Sequence, residues 1–300
     1  MQLRQSLNAA IERLTARNVP SPRMNAELLI MFTLDCDRAY LYAHPERELT
    51  PDETARYNEA LARRATGVPA QYITGHQEFW GMDLIVSPAV LIPRPETEHL
   101  IEAVLELTGL AGNKSDHHEG HEGTRRNFAL SPRIVDVGTG SGAIALALAR
   151  EFPFAEIHAT DISEEALEVA RANAARHELS SRIAFRETDL LSSMPTNYFD
   201  FVVSNPPYVG ESEEDSVQLG VRKFEPRGAV FAGATGLEVI ERLIPQACDA
   251  LRPGGWLVFE ISGTILDGVR ELLKGWEEIA IRNDLQGIQR VVLTRKSTSR

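Results

Sequence analysis

Cysteine is nearly absent from the 300 residues: Cys36 and Cys248 stand alone and far apart. Two such thiols build no disulfide framework, and they fit a reducing compartment. No stretch approaches the 18 or so consecutive apolar residues of a membrane helix. The first residues, MQLRQSLNAAIERL, lack the apolar core of a secretory signal, and they carry Glu12, an acid that mitochondrial presequences avoid. A cytoplasmic protein without a membrane partner is expected. Basic excess is missing as well: 31 Lys and Arg face 43 Asp and Glu, for a net charge of −12. The deficit is −1 over residues 1–80, −4 over 81–131 and −7 over 132–300. No part carries the cationic footprint with which proteins grip phosphate backbones, so stable nucleic-acid binding is not expected.

What is present is the composition of folded domains, 43% hydrophobic and 25% charged, in a chain long enough for two of them. Residues 1–77 read as a small helical bundle. Leu3, Leu7, Ile11 and Leu14 recur at helical spacing, and Ser21-Pro22 opens a second helix with Leu28, Leu29 and Phe32 on its apolar side. Thr50-Pro51-Asp52-Glu53 combines an N-cap, a proline at the first helical position and the glutamate of a capping box; Gly67 ends that helix. Residues 78–90 switch to a strand pattern, EFWGMDLIV, with Gly81 at the turn of a hairpin that links the domains. From residue 91 to 300 a second domain follows. Its first helix begins at Pro95, has Leu100, Ile101, Val104 and Leu105 on its apolar face, and stops at Gly109. Residues 109–131 are polar and glycine-rich and read as a flexible insertion. Its histidines, His117, His118 and His121, are not read as a metal site.

After Pro132 strands and helices alternate, from RIVDV through EIHAT, RIAFR and DFVVS to WLVFEI, which the turn Pro253-Gly254-Gly255 precedes. Such alternation predicts a mostly parallel sheet with helices on both faces. EEIAIR and QRVVLT close the chain without a helix between them, so they are expected to pair antiparallel at one edge.

Three signals carry chemistry. Gly138-Thr139-Gly140-Ser141-Gly142 follows a hydrophobic strand and opens a helix, the context in which a glycine turn lets a ligand approach the main chain. Alone it fits a nicotinamide dinucleotide as well. Asp161 ends the next strand, 19 residues after Gly142, and suits the two hydroxyls of a ribose; Asp189 and Leu190, after the third strand, suit an adenine amino group and ring. Asn205-Pro206-Pro207-Tyr208 follows DFVVS. The prolines stiffen the loop and offer no N–H, so the Asn205 side-chain oxygen and the Pro206 carbonyl become two aimed acceptors beside an aromatic ring. That set suits a planar –NH2 group, on an amide or on a base.

DVGTGSGAIALALA, ATDISEEALEVARANA and VVSNPPYV together resemble the class I S-adenosylmethionine-dependent methyltransferases. With LIPRPETE at 91–98, the helical N-terminal region, FEPRGAVFAG and NDLQGIQRVV, nearly the whole chain resembles the release factor glutamine methyltransferase (PrmC/HemK) family. The resemblance implies an α/β, Rossmann-like sheet with an antiparallel edge strand behind a substrate-recognising helical domain. It implies S-adenosyl-L-methionine held by Gly138, Thr139, Gly140, Ser141, Gly142, Asp161, Asp189, Leu190 and Asn205. It places the glutamine of a release factor's Gly-Gly-Gln motif against Asn205, Pro206, Pro207 and Tyr208, with Arg94 and Glu96 nearby. No metal is implied, since a sulfonium leaves as a neutral thioether, and a monomer is expected. Adenine amino-group methylation of RNA or DNA, or glutamine methylation of a ribosomal protein, remains open to the same residues.

Overall fold

A computed structural model describes residues 1–110 and 131–298, so His117, His118 and His121 lie outside the described residues. The chain divides into two compact units. One comprises Met1–His76 with Val217–Phe224, the other Gln77–Ser216 with Glu225–Arg300.

The first unit is helical: α1 (Leu3–Thr15), α2 (Pro22–Leu34), α3 (Arg38–Ala43), α4 (Pro51–Ala65), α5 (Ala70–Thr74) and the later short helix Leu219–Phe224. Leu3 and Leu14 of α1 are buried as their spacing predicts, Leu7 and Ile11 are only partly buried, and Ala10 is buried in addition. In α2 the buried row is Ala26, Leu29, Ile30 and Thr33, while Phe32 is 49% exposed. Packing selects the i, i+3, i+4, i+7 face, in which small Ala26 admits a close neighbour, over the bulkier adjoining row. The α4 capping box forms in full: the Glu53 N–H donates to Thr50 Oγ1 at 3.2 Å and the Thr50 N–H to Glu53 Oε2 at 2.9 Å.

The second unit opens with the hairpin of β1 (His76–Phe79, whose first residue still falls in the first unit) and β2 (Met82–Ile85), turning at Trp80 and Gly81, both at positive φ, the geometry that matches the twist of paired strands. Then come α6 (Glu98–Thr108), β3 (Arg133–Val137), α7 (Ala143–Glu151), β4 (Glu156–Asp161), α8 (Glu164–Arg176), β5 (Ile183–Glu187), β6 (Phe199–Ser204), β7 (Leu251–Glu260), β8 (Glu277–Asn283) and β9 (Gln289–Arg295). Helices Glu238–Ala250 and Leu266–Leu272 flank β7 in sequence. The seven-stranded sheet has the order β5-β4-β3-β6-β7-β9-β8, parallel except at β9, which runs antiparallel between β7 and the edge strand β8. Pro253-Gly254-Gly255 is not a turn ahead of a strand. It is a bulge inside β7, where the register with β6 shifts between Phe199 and Phe201.

Side chains alternate between the two faces of the sheet. Ile134, Phe201, Val203 and Val258 pack with α6 and α7 on one face; Val135, Val137, Val202, Leu257 and Phe259 pack with the helices 238–250 and 266–272 on the other. Buried on both faces, the central strands read as continuous apolar runs. Among the described residues no helix is long and apolar enough to cross a membrane.

Candidate active site

Strand register alone brings the predicted residues together. Val137 pairs with Thr160 and with Ser204, and Ser204 pairs with Phe259. The next residue on each strand, Gly138, Asp161, Asn205 and Glu260, therefore stands in one row at the carboxyl edge of the sheet. Ligands of open α/β sheets bind along that edge.

The glycine loop is held tightly from below. The N–H groups of Gly138 and Thr139 donate to the Thr160 carbonyl at 2.8 and 2.9 Å. Gly142 has φ +84°, and a Cβ there would lie 2.6 Å from Leu146 Cδ1 and 3.2 Å from Ala170 Cβ, so only glycine lets the loop sit this close to α8. A Cβ at Gly140 would meet nothing within 4 Å: its outer side is open to a ligand. Asn173, fully buried in α8, donates to the carbonyls of Ser141 and Ile85, each at 2.9 Å, and accepts from the Ile85 N–H at 2.7 Å. One side chain thus ties the glycine loop, the hairpin and α8.

Asp161 accepts the Gly140 N–H on Oδ2 at 2.9 Å and the Ser163 N–H on Oδ1 at 3.0 Å. Each oxygen retains acceptor capacity for a ribose hydroxyl. Burial outweighs these donors and raises its carboxyl above the usual range. Asp189 is ion-paired to Arg242, and Leu190 adopts φ +53° beside it. Nothing in the sequence marks Arg242, because a lone arginine on a helix carries no signal.

Arg94 also has a committed partner. Its Nη2 donates to Glu225 Oε1 at 2.6 Å, and the Ile92 N–H donates to Glu225 Oε2 at 3.0 Å. The pair pins the LIPRPE loop to the FEPRG segment. Asn205 donates from Nδ2 to Thr97 Oγ1 at 3.0 Å; Thr97 donates to Glu260 Oε2 at 2.7 Å, and the Tyr208 hydroxyl donates to Glu260 Oε1 at 2.9 Å. Burial raises the Glu260 carboxyl, opposed by the donors from Thr97 and Tyr208 and by the charge of Arg290. Burial and the neighbouring Glu260 charge raise the Tyr208 phenol, which stays a neutral donor. Thr97 was hidden because a threonine at a helix start reads as a cap, whereas its side chain makes no capping bond here.

Part of this set lines a cavity of about 410 Å3 inside the second unit. Its wall includes Gly138, Thr139, Gly140, Ser141, Asp161, Asp189, Leu190, Asn205 and Pro207, together with Arg94 and Thr97. Gly142, Pro206, Tyr208 and Glu96 are not part of the wall. A nucleoside-sized ligand with a polar ribose fits this mixture of open glycine backbone, a fixed carboxylate and apolar Ile162 and Leu190.

Residues 5–75 match the family described as PrmC N-terminal domain, and residues 125–223 the methyltransferase small domain family. The chain is 54% identical to the release factor glutamine methyltransferase of Koribacter versatilis (strain Ellin345), covering 100% of both chains. It is 41% identical to that of Moorella thermoacetica, covering 91% of this chain and 90% of the relative. A solved structure of the hMettl16 catalytic domain with the MAT2A 3′UTR hairpin 6 matches with a TM-score of 0.55 at 18% identity, over 81% of this chain and 83% of that one. At that identity the likeness speaks for the fold alone.

Proposed function

Since this chain belongs to the release factor glutamine methyltransferase family, we propose that it methylates the side-chain amide nitrogen of the glutamine in the Gly-Gly-Gln motif of release factors, with S-adenosyl-L-methionine as methyl donor. The observation that carries the reading is that Asn205, stiffened by the following proline, shares one cavity with the glycine loop and Asp161. The loop of Gly138–Gly142 and the carboxylate of Asp161 would hold the nucleoside, with Asp189 and Leu190 at the base. When bound, S-adenosylmethionine supplies an electrophilic methyl group on a cationic sulfonium.

The chain's own contribution is orientation and electrostatics. An amide nitrogen is a poor nucleophile because its lone pair is delocalised into the carbonyl. Asn205 Oδ1 and the Pro206 carbonyl accept its two hydrogens, which fixes the nitrogen in place and raises its electron density. One hydrogen then leaves as a proton to solvent. Pro207 keeps the loop rigid, and Tyr208 braces it through Glu260. The helical unit is assigned to recognition of the release factor.

The test is incubation with methyl-labelled S-adenosylmethionine and purified release factor, ribosomal proteins, RNA and DNA, followed by mass spectrometry of the labelled product. Label on the Gly-Gly-Gln glutamine is expected. Label confined to nucleic acid or to a ribosomal protein would overturn the assignment.

A further inference from the structure

An asparagine amide is a two-faced tool. To receive a substrate –NH2, Asn205 must turn Oδ1 toward the cavity; turned by half a rotation it would present an –NH2 of its own and repel the substrate. The two orientations have nearly the same shape, so only hydrogen-bond partners can choose between them. The chain Asn205–Thr97–Glu260–Tyr208 makes that choice by counting protons. Thr97 and Glu260 are 4% and 1% exposed, so bulk water does not compete for them. An ionised Glu260 has no proton to give. It takes one from the Thr97 hydroxyl on Oε2 and one from the Tyr208 hydroxyl on Oε1, and these two donors and the Arg290 charge favour the ionised form against the burial that opposes it. With its only proton spent, Thr97 can do nothing toward Asn205 except accept. Asn205 must then give Thr97 its nitrogen, as it does at 3.0 Å, and Oδ1 is left facing away.

We propose that Thr97 and Glu260 are positioning residues that lock the amide of Asn205 with its oxygen toward the substrate, and so set the preference of the site for an amide over a carboxylate. The inference rests on the functional reading given above. Without the Thr97 hydroxyl, Asn205 is free to rotate, and its –NH2 would welcome a glutamate in place of the substrate glutamine.

The experiment uses the full chain at pH 8 with two peptides that differ only in carrying Gly-Gly-Gln or Gly-Gly-Glu. Thr97→Val keeps the shape and deletes the hydroxyl; Thr97→Ala deletes it without setting a methyl against Glu260, and serves should the valine variant not fold. In either, kcat on the glutamine peptide is expected to fall roughly 10- to 100-fold. The ratio of glutamate-peptide to glutamine-peptide Kd should fall about 10-fold, a change that looser packing alone would not produce. Thr97→Ser restores the hydroxyl and should retain both quantities within about threefold of the wild type. A hydroxyl-free variant with wild-type kcat and peptide ratio overturns the proposal, as does a serine variant that falls as far as valine. Asn205→Ala, run in parallel, separates the two levels: if it methylates like the wild type, the functional reading itself fails. If it is inactive while the hydroxyl-free variants are normal, only the lock fails.

Discussion

Asp136 ends up as a carboxyl with half its capacity used. It is fully buried, Oδ2 accepts the Thr139 hydroxyl at 2.6 Å and the Ala145 N–H at 3.1 Å, and Oδ1 has no partner among the described residues. Burial, with the nearby Asp161 charge adding to it, pushes its pKa up to about 7 against those two donors. The sign is the reverse of a salt-bridged aspartate. Between its unfolded value near about 4 and its folded value near 7, the native state binds more protons than the unfolded chain, so this group's contribution to stability falls as pH rises and levels off above about 7. Asn at this position imitates the protonated acid. We therefore expect wild-type stability, measured relative to Asp136→Asn by denaturant unfolding, to decline on the order of 2–3 kcal/mol between pH 5 and pH 8. A difference that stays constant with pH would refute the buried-acid account. At this scale the sequence showed groups that line the cavity, Gly138–Ser141, Asp161 and Asn205, because turn chemistry and strand ends mark them. It did not show Thr97, Arg242 or Glu225, whose roles exist only through partners distant in the chain.

Among the elements, α8 carries more than its helix propensity suggests. Asn173 sits in its middle, a residue that local propensity would place at a cap or turn. It is kept there by three bonds, to the Ile85 N–H, the Ile85 carbonyl and the Ser141 carbonyl. Asn173→Ala leaves the buried Ser141 carbonyl and the half-buried Ile85 groups without their partner and is expected to cost about 2–4 kcal/mol, read as a lower midpoint in denaturant unfolding. A midpoint unchanged from the wild type would mean that hairpin and glycine loop hold their places without it. Elements with strong punctuation were legible: the Thr50 capping box, the Trp80-Gly81 hairpin turn, and the alternation that builds the parallel sheet. Residues 211–230 were not. They fold as short pieces, Glu211–Ser216, Leu219–Phe224 and Arg227–Val230, too brief for any periodicity to register. Nor could spacing reveal that 217–224 belongs with the helical unit, since that grouping is made by tertiary packing.

For the whole molecule, charge separates chemistries that one fold accommodates. The sheet shares its architecture with the hMettl16 catalytic domain; on the reading proposed above, the acceptors of the Asn205 loop would suit an adenine amino group as readily as an amide. What a nucleic-acid substrate demands in addition is neutralisation of phosphates, which supplies most of the affinity for the backbone and makes it steeply salt-dependent. This chain has 12 more acids than bases, and the region from 132 onward holds −7 of that balance. Local cations near the cavity are already engaged: Arg94 with Glu225, and Arg242 with Asp189. A 20-nucleotide RNA is therefore expected to show no saturable binding by fluorescence anisotropy up to roughly 100 μM protein in 50 mM salt, a condition that favours electrostatic association. Methylation of a release factor should likewise proceed undiminished in an excess of that RNA. Saturable binding that weakens steeply with added salt would show that a cationic track forms despite the net charge, and would reopen the adenine chemistry that the Asn205 loop can serve.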